Sequence, residues 1–219
     1  AELAVFFLRL QEQGANNISL VTATHFLPWI IPALDLAKKQ LHIPIVYNCG
    51  GYERIETILA LKDYVDIWLP DFKYENSELS ARYSQAPFYF QTAAKAIQQM
   101  IRQTGAPHVC SIPGESGPVM DRGVIIRHLV LPGQKDDSIR ILHWIAQNLP
   151  KDSFYISLMS QYTPYEKNSM YPELNRRITS YEYQKVVDAA LDLGLTMGFM
   201  QEKSSAKEEY TPAFDLEGL

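Results

Sequence analysis

The stretch Val65-Asp66-Ile67-Trp68-Leu69-Pro70-Asp71-Phe72-Lys73 reads as a buried strand brought to a stop. Val65, Ile67, Trp68 and Leu69 form the apolar run of a strand covered on both faces, and Pro70 cannot donate to a sheet ladder. Asp71 and Lys73 follow at once, so the strand ends in opposite charges. In parallel α/β proteins the groups just past the carboxyl ends of strands line the ligand site, which makes Asp71 and Lys73 candidates for substrate contact. A solvated loop ion pair is the plainer alternative, because surface pairs are common and weak. The other strand ends discriminate between the two.

Upstream, strand and helix patterns alternate. Residues 2–13 carry apolar positions 3, 6, 7 and 10 and stop at Gly14, a suitable helix C-cap, with neither an initiator Met nor an N-cap before them. The chain therefore reads as beginning inside a helix, with the preceding strand expected upstream of Ala1. Ile18 to Thr22 is a strand, and the helix that follows through Ile30, Ile31 and Leu34 to Lys39 must be bent or shortened by Pro28 and Pro32. Ile43 to Tyr47 is a second strand with its proline early, and Gly50-Gly51 turns the chain into a helix around Ile55, Ile58, Leu59 and Leu61.

Downstream, Ser77 to Tyr83 and Phe90 to Gln103 are helical patterns, the second ending at Gly105. Ala106 to Gly123 has no periodicity and reads as a long loop, of the kind that serves as a lid or binding loop. Its Pro113-Gly114-Glu115-Ser116-Gly117-Pro118 text makes no phosphate cradle, because no Gly-Lys-Ser/Thr follows. Val124 to Leu131 is the most strongly β-like run and holds Arg127 in its middle, on the face of Ile125 and Leu129. A cation there is costly unless a carboxylate or an anionic ligand meets it; the alternative is a face turned to solvent. Asp136-Asp137 open a helix through Leu149, acidic where the macrodipole favours it. Phe154 to Met159 is a strand ending in Ser160-Gln161-Tyr162, and Tyr165 to Thr179 is loop. Thr179 or Ser180 opens a helix to Gly194, with Glu182 placed for a capping box if Thr179 is the cap. Leu195 to Met200 is the last strand, ended by Gln201-Glu202.

The 219 residues are 47% hydrophobic and 21% charged, with a net charge of −5, which fits one globular domain with a sizeable core. No apolar run approaches the ~18 residues of a membrane span, no segment has the layout of a secretory signal, and the acidic balance argues against nucleic acid as a partner. Cys49 and Cys110 lie far apart and signal neither a disulfide framework nor a zinc site. The expectation is a soluble cytoplasmic protein with one domain over residues 1–202 and a polar tail over 203–219.

Six strands alternating with helices imply a parallel sheet with right-handed crossovers. A full eight-stranded barrel needs ~250 residues, so the expected fold is α/β, a partial (β/α)6 TIM-like barrel lacking its first strand, with an open α/β sheet as the alternative. The strand ends then read Thr22-Ala23-Thr24-His25, Asn48-Cys49-Gly50-Gly51, Asp71-Phe72-Lys73, Arg127 within its strand, Ser160-Gln161-Tyr162, and Gln201-Glu202. Every strand delivers polar groups to one rim. Each has a structural alternative: Thr24 as a helix cap, Asn48 and the glycines as turn formers, Tyr162 as rim packing. Together they fit a polar, partly anionic small molecule, with Lys73 and Arg127 as its cationic side.

At these residues the chain resembles a known family. Val46-Tyr47-Asn48-Cys49-Gly50-Gly51-Tyr52, then Val65 to Lys73, then Ile126-Arg127-His128-Leu129-Val130-Leu131-Pro132-Gly133 are similar to radical S-adenosylmethionine proteins related to pyruvate formate-lyase activating enzyme. The likeness is to an uncharacterised branch, whose ending is similar to Tyr210-Thr211-Pro212-Ala213-Phe214-Asp215, and it runs over nearly the whole chain in family order. The resemblance implies a partial barrel that binds a 4Fe-4S cluster through a C-x-x-x-C-x-x-C loop. The cluster's open iron chelates S-adenosylmethionine and reduces it to a 5′-deoxyadenosyl radical, in some members to activate a glycyl-radical protein. It further implies cofactor contacts from Thr22, Thr24 and His25, from Asn48, Cys49 and Gly50, and from Asp71, Lys73, Arg127 and Tyr162.

The cluster motif itself is absent from these residues, and Cys49 and Cys110 do not replace it, since a cluster needs adjacent thiolates on one loop. Its ligands are expected upstream of Ala1, and the chain alone is expected to be inactive. Asn48 stands where the family has an acid. Two other readings remain at this point: a cluster-free barrel enzyme with Lys73 as nucleophile and Asp71 as acid or base, or a binding module without catalysis.

Overall fold

A computed structural model describes residues 1–111, 117–164 and 170–200. The strands are β1 (Ile18–Val21), β2 (Ile45–Cys49), β3 (Ile67–Pro70), β4 (His108–Ser111), β5 (Pro118–Leu129), β6 (Tyr155–Met159) and β7 (Gly198–Met200). All but β4 are parallel neighbours in the order β1-β2-β3-β5-β6-β7, which is also chain order. Helices α1 (Glu2–Glu12), α2 (Leu27–Ala37), α3 (Ile55–Ala60), α4 (Ser77–Ser84), α5 (Tyr89–Thr104), α6 (Lys135–Asn148) and α7 (Ser180–Asp192) fill the connections.

A parallel sheet whose order never reverses has every right-handed crossover on the same face. Burial follows that rule. Ile18, Leu20, Tyr47, Trp68, Val124, Ile126, Ile156 and Leu158 point to one side and join the helices in the core. Their strand neighbours Ser19, Asn48, Leu69, Arg127 and Ser157 point to the other side and stay partly open. The helix-free face is the inside of a barrel, so the fold is a partial α/β barrel rather than an open sheet covered on both faces. Val46 and Ile67 close the floor of the inner face and are buried.

Two sequence expectations are corrected. The long loop read over 106–123 contains β4, which pairs antiparallel with the first half of β5 through Val109↔Met120, Cys110↔Val119 and Ser111↔Pro118. This hairpin stands off the main sheet, and β4 has no buried residue, so no core face imposes the alternation that marks a strand. Residues 112–116, with most of the Pro-Gly text, lie outside the described residues, as do Gln201-Glu202 and the expected tail. The helix expected to run to Lys39 ends at Ala37, with Pro32 inside it. Pro28 lies in the first turn, where its missing N–H has no intrahelical role, and Pro32 forfeits its bond on the exposed side.

Three side chains tie the connections to the sheet. Thr179 and Glu182 form the expected capping box at the start of α7. Glu182 also accepts from Gly133 N at 2.8 Å and takes Arg176 through two nitrogens at 2.7 and 2.8 Å, so the turn after β5 is pinned to α7. Asp137, buried in the first turn of α6, accepts from Glu75 N and Asn76 N at 3.0 and 2.9 Å and fixes the segment leaving β3.

Candidate functional site

Asp71 is held by backbone on both sides. Its N–H donates to Cys49 O of β2 at 2.9 Å, and the next N–H, of Phe72, donates to Arg127 O of β5 at 2.8 Å. Register then sets Asp71 beside Arg127 on the inner face. Arg127 Nη2 lies 2.6 Å from Asp71 Oδ1 and donates to Asn48 Oδ1 at 2.6 Å. Asp71 Oδ1 thus meets the guanidinium as a close ion pair and accepts no other hydrogen bond among the described residues. Arg127 Nε is buried without a partner. The carboxylate required to offset a cation in mid-strand is therefore Asp71.

Lys73 Nζ is the second cation, 3.4 Å from Asp71 Oδ2. At 42% side-chain exposure against 25% for Arg127, it is the looser partner. Its own backbone is firmly placed. Tyr89, buried at the start of α5, accepts from Lys73 N at 3.1 Å, and its hydroxyl lies 2.8 Å from both Gly50 O and Asp71 O. Burial pushes the Tyr89 hydroxyl well above its usual pKa, keeping it a donor. Gly51, with φ +78°, brings the β2 exit against Asp71; a Cβ there would overlap the Asp71 carbonyl oxygen.

Between β3, β5 and β6 the rim opens into a recess of about 330 Å³. Asp71, Lys73 and Arg127 line it together with Leu129, Leu131 and Met159. Tyr74, Gln161 and Tyr162 complete it. Tyr162 donates its hydroxyl to Leu174 O at 3.0 Å and so presents mainly its ring.

The β1–β2 side is differently built. Thr22 occupies the left-handed region at φ +51°, a strain of roughly 1–2 kcal/mol for a residue with a Cβ, and its N–H donates to Asn48 O at 2.9 Å. The Thr24 hydroxyl is 2.8 Å from the Tyr47 hydroxyl and 3.1 Å from each oxygen of Glu53. Burial raises the pKa of Glu53 and pushes Tyr47 up to about 12. His25 is exposed in the 3-10 turn Ala23–Phe26.

The structure thus brings Asn48, Asp71, Lys73, Arg127 and Tyr162 together and places Thr22 beside Asn48. Thr24 is turned to Tyr47 and Glu53. Gly50 serves through its carbonyl. Cys49 faces the helices, is 1% exposed, and burial pushes its thiol up to about 12, so its side chain does not reach the rim. Sequence reasoning missed Tyr89, Glu53 and the special place of Gly51. The Gly-Gly pair was the one available signal; the other two act through contacts distant in sequence. A smaller cleft of about 140 Å³ at the other end of the sheet, against Ile145, Phe154 and Leu193, receives none of these groups.

The residues present do not fit a 4Fe-4S cluster. The chain has two cysteines, one of them facing the helix layer, and among the described residues no three His, Cys, Asp or Glu converge as a metal site.

No family model matches the chain. An uncharacterized protein of Methanocaldococcus jannaschii, MJ0674, is 34% identical over 179 residues, covering 80% of this chain and 46% of that protein. The chain therefore spans about half the length of the curated relative it matches. Among solved structures, a domain of pyruvate-formate lyase-activating enzyme from Bacteroides vulgatus superposes with a TM-score of 0.59 at 15% identity, over 85% of this chain and 98% of the other. Methylornithine synthase (PylB) gives 0.56 at 16% identity, over 91% and 53%. At such identities the likeness is one of fold, and it agrees with the partial barrel seen here.

Proposed function

We propose that these residues form the barrel of a radical S-adenosylmethionine enzyme, with the carboxyl-end rim as its cofactor site. The observation that carries this reading is the Asn48–Arg127–Asp71 constellation, set by strand register on the inner face of a barrel like those of the two solved relatives. In the proposal Thr22, Thr24 and His25 border the site from β1. Asn48, Asp71 and Arg127 hold the polar end of the cofactor. Gly50 and Cys49 contribute backbone, and Lys73 and Tyr162 mark its boundary with the recess. Bound with a cluster, S-adenosylmethionine supplies a 5′-deoxyadenosyl radical; the cluster's thiolates must come from sequence outside these residues, and no step of the reaction is assigned to them. The residues here bind and orient. Whether the radical is passed to a glycyl-radical protein, in the manner the name of the activating enzyme indicates, belongs to the same proposal.

Isothermal titration with S-adenosylhomocysteine, the stable analogue, tests the site. One-to-one binding is expected, weakened about tenfold by Asn48→Ala through loss of a charge-assisted partner. Binding indifferent to Asn48→Ala and to Arg127→Lys would overturn the placement. For the enzyme reading, the gene's longer product, reconstituted anaerobically with iron and sulfide, is expected to release 5′-deoxyadenosine. A reading frame with no cysteine-rich segment before Ala1 would reduce the proposal to a binding module.

A further inference from the structure

We propose that the outer face of α2 pairs with the same face of a second copy of this chain, the two helices lying antiparallel across a twofold axis. Composition is the first argument. Asp35 is the single polar residue between Leu27 and Ala37, and a helix apolar all round is ordinarily covered all round. Here the core covers one side only. Leu27, Ile30, Ala33, Leu34 and Ala37 are buried, and α1, which packs beside α2, leaves the outer side open. There Trp29, Pro32 and Leu36, at i, i+3 and i+7, fall in one line. Phe26 stands just ahead of them, its ring centroid 6.4 Å from that of Trp29. Phe26, Trp29 and Leu36 are 61%, 67% and 62% exposed.

Charge and area identify the occupant. Asp35 accepts from the Tyr64 hydroxyl at 2.8 Å, and Lys38 holds Nζ 5.4 Å from the centre of the Tyr64 ring. Both are drawn to one flank, and no residue of the stripe is charged. Such a face gives an acidic or basic partner nothing to pair with, whereas two copies of a chain whose net charge is −5 meet there without repulsion. With ~150–250 Å² for an aromatic side chain, the stripe and its two prolines leave roughly 500 Å² uncovered, a size that often marks an interaction site. Two copies face to face bury roughly 1,000 Å², the lower bound for a specific interface, so the expected dimer is micromolar.

Shape and dipole set the direction. Pro32 is compact and stands between Trp29 and Leu36. A twofold axis passing beside it puts Trp29 of each copy against Leu36 of the other, and the small ring against itself. The positive end of each helix then lies beside the negative end of its mate, whereas a parallel pair would set like ends together. None of these side chains is among those assigned to the cofactor, so the inference does not depend on that reading.

Sedimentation velocity on the full chain tests it. At about 100 µM the wild type is expected to run at twice the 25.0 kDa of one chain, and to dissociate on dilution to about 1 µM. Trp29→Glu and Leu36→Lys are each expected to weaken dimerisation at least about tenfold. Both are expected to keep the wild-type thermal midpoint at about 1 µM, where all three proteins are monomers and these side chains face solvent. An equimolar mixture of the two variants reads the direction. In the antiparallel pair the introduced acid of one copy faces the introduced base of the other, while the unaltered Leu36 and Trp29 still meet. The mixture is therefore expected to dimerise at least about tenfold more tightly than either variant alone. A monomeric wild type, dimerisation indifferent to both substitutions, or a mixture no better than its components would each overturn the proposal. So would a longer gene product that stays monomeric where the 219-residue chain dimerises, because the stripe would then belong to a contact within one molecule.

Discussion

Tyr89→Phe removes one oxygen from the rim and nothing else. The ring keeps its stack on Tyr52, with centroids 5.9 Å apart, and its edge contact with Tyr74 at 5.5 Å. The hydroxyl serves three backbone groups on two strand exits: it accepts from Lys73 N and lies within 2.8 Å of Gly50 O and Asp71 O. Its single hydrogen satisfies one carbonyl at a time, so the substitution strands one N–H and one carbonyl. A buried group left unpaired costs about 1–3 kcal/mol, and access of water to the half-buried rim puts two such groups at about 2–4 kcal/mol. Against a typical total of roughly 5–15 kcal/mol that is a large loss. Equilibrium urea unfolding followed by far-ultraviolet circular dichroism measures it, and an unchanged m-value is expected because the folded surface barely alters. S-adenosylhomocysteine affinity should fall as well, since the hydroxyl spaces the β2 and β3 exits. A loss under about 0.5 kcal/mol, the scale of an ordinary surface substitution, would refute the claim that Tyr89 clamps the two exits.

Two further perturbations probe the same framework. Gly51→Ala combines a left-handed backbone with overlap on the Asp71 carbonyl, and is expected to cost about 3 kcal/mol or more in the same unfolding assay; Gly50→Ala, where a Cβ meets nothing, is the control. Arg176, followed by the capping contacts, holds the Glu182 carboxyl well below its usual pKa of 4.5, so its contribution is present above that pH and lost as pH falls through the folded-state value. Denaturant midpoints measured down to about pH 3 should drop below pH ~4.5 in the wild type, and Glu182→Gln should be less stable at neutral pH with a shallower acid limb.

Local features were legible in advance. The capping box needs only Thr179 and Glu182, three positions apart on one turn, and the helix ends at Gly105 and Gly194 are stated by single residues. The rim polar groups could be found because a strand's end is marked by local punctuation, as Pro70 marks β3. Arg127 announced that a partner was required. Its identity could not be read, because Asp71 and Asn48 reach it only through the lateral register of three strands. The β4 hairpin was missed for the opposite reason: lacking a buried face, it left no periodic trace.

By itself the sequence determined the alternating elements, hence a parallel α/β sheet, and the polarity of its carboxyl ends, because both follow from spacing along one chain. Only the tertiary structure decided that the sheet curls with its helices on one face, that Asn48 looks into the barrel while Cys49 looks out, and that Asp71 serves Arg127 more closely than Lys73. Those outcomes depend on which strands lie side by side and which face is left uncovered, and neither is a property of any single segment.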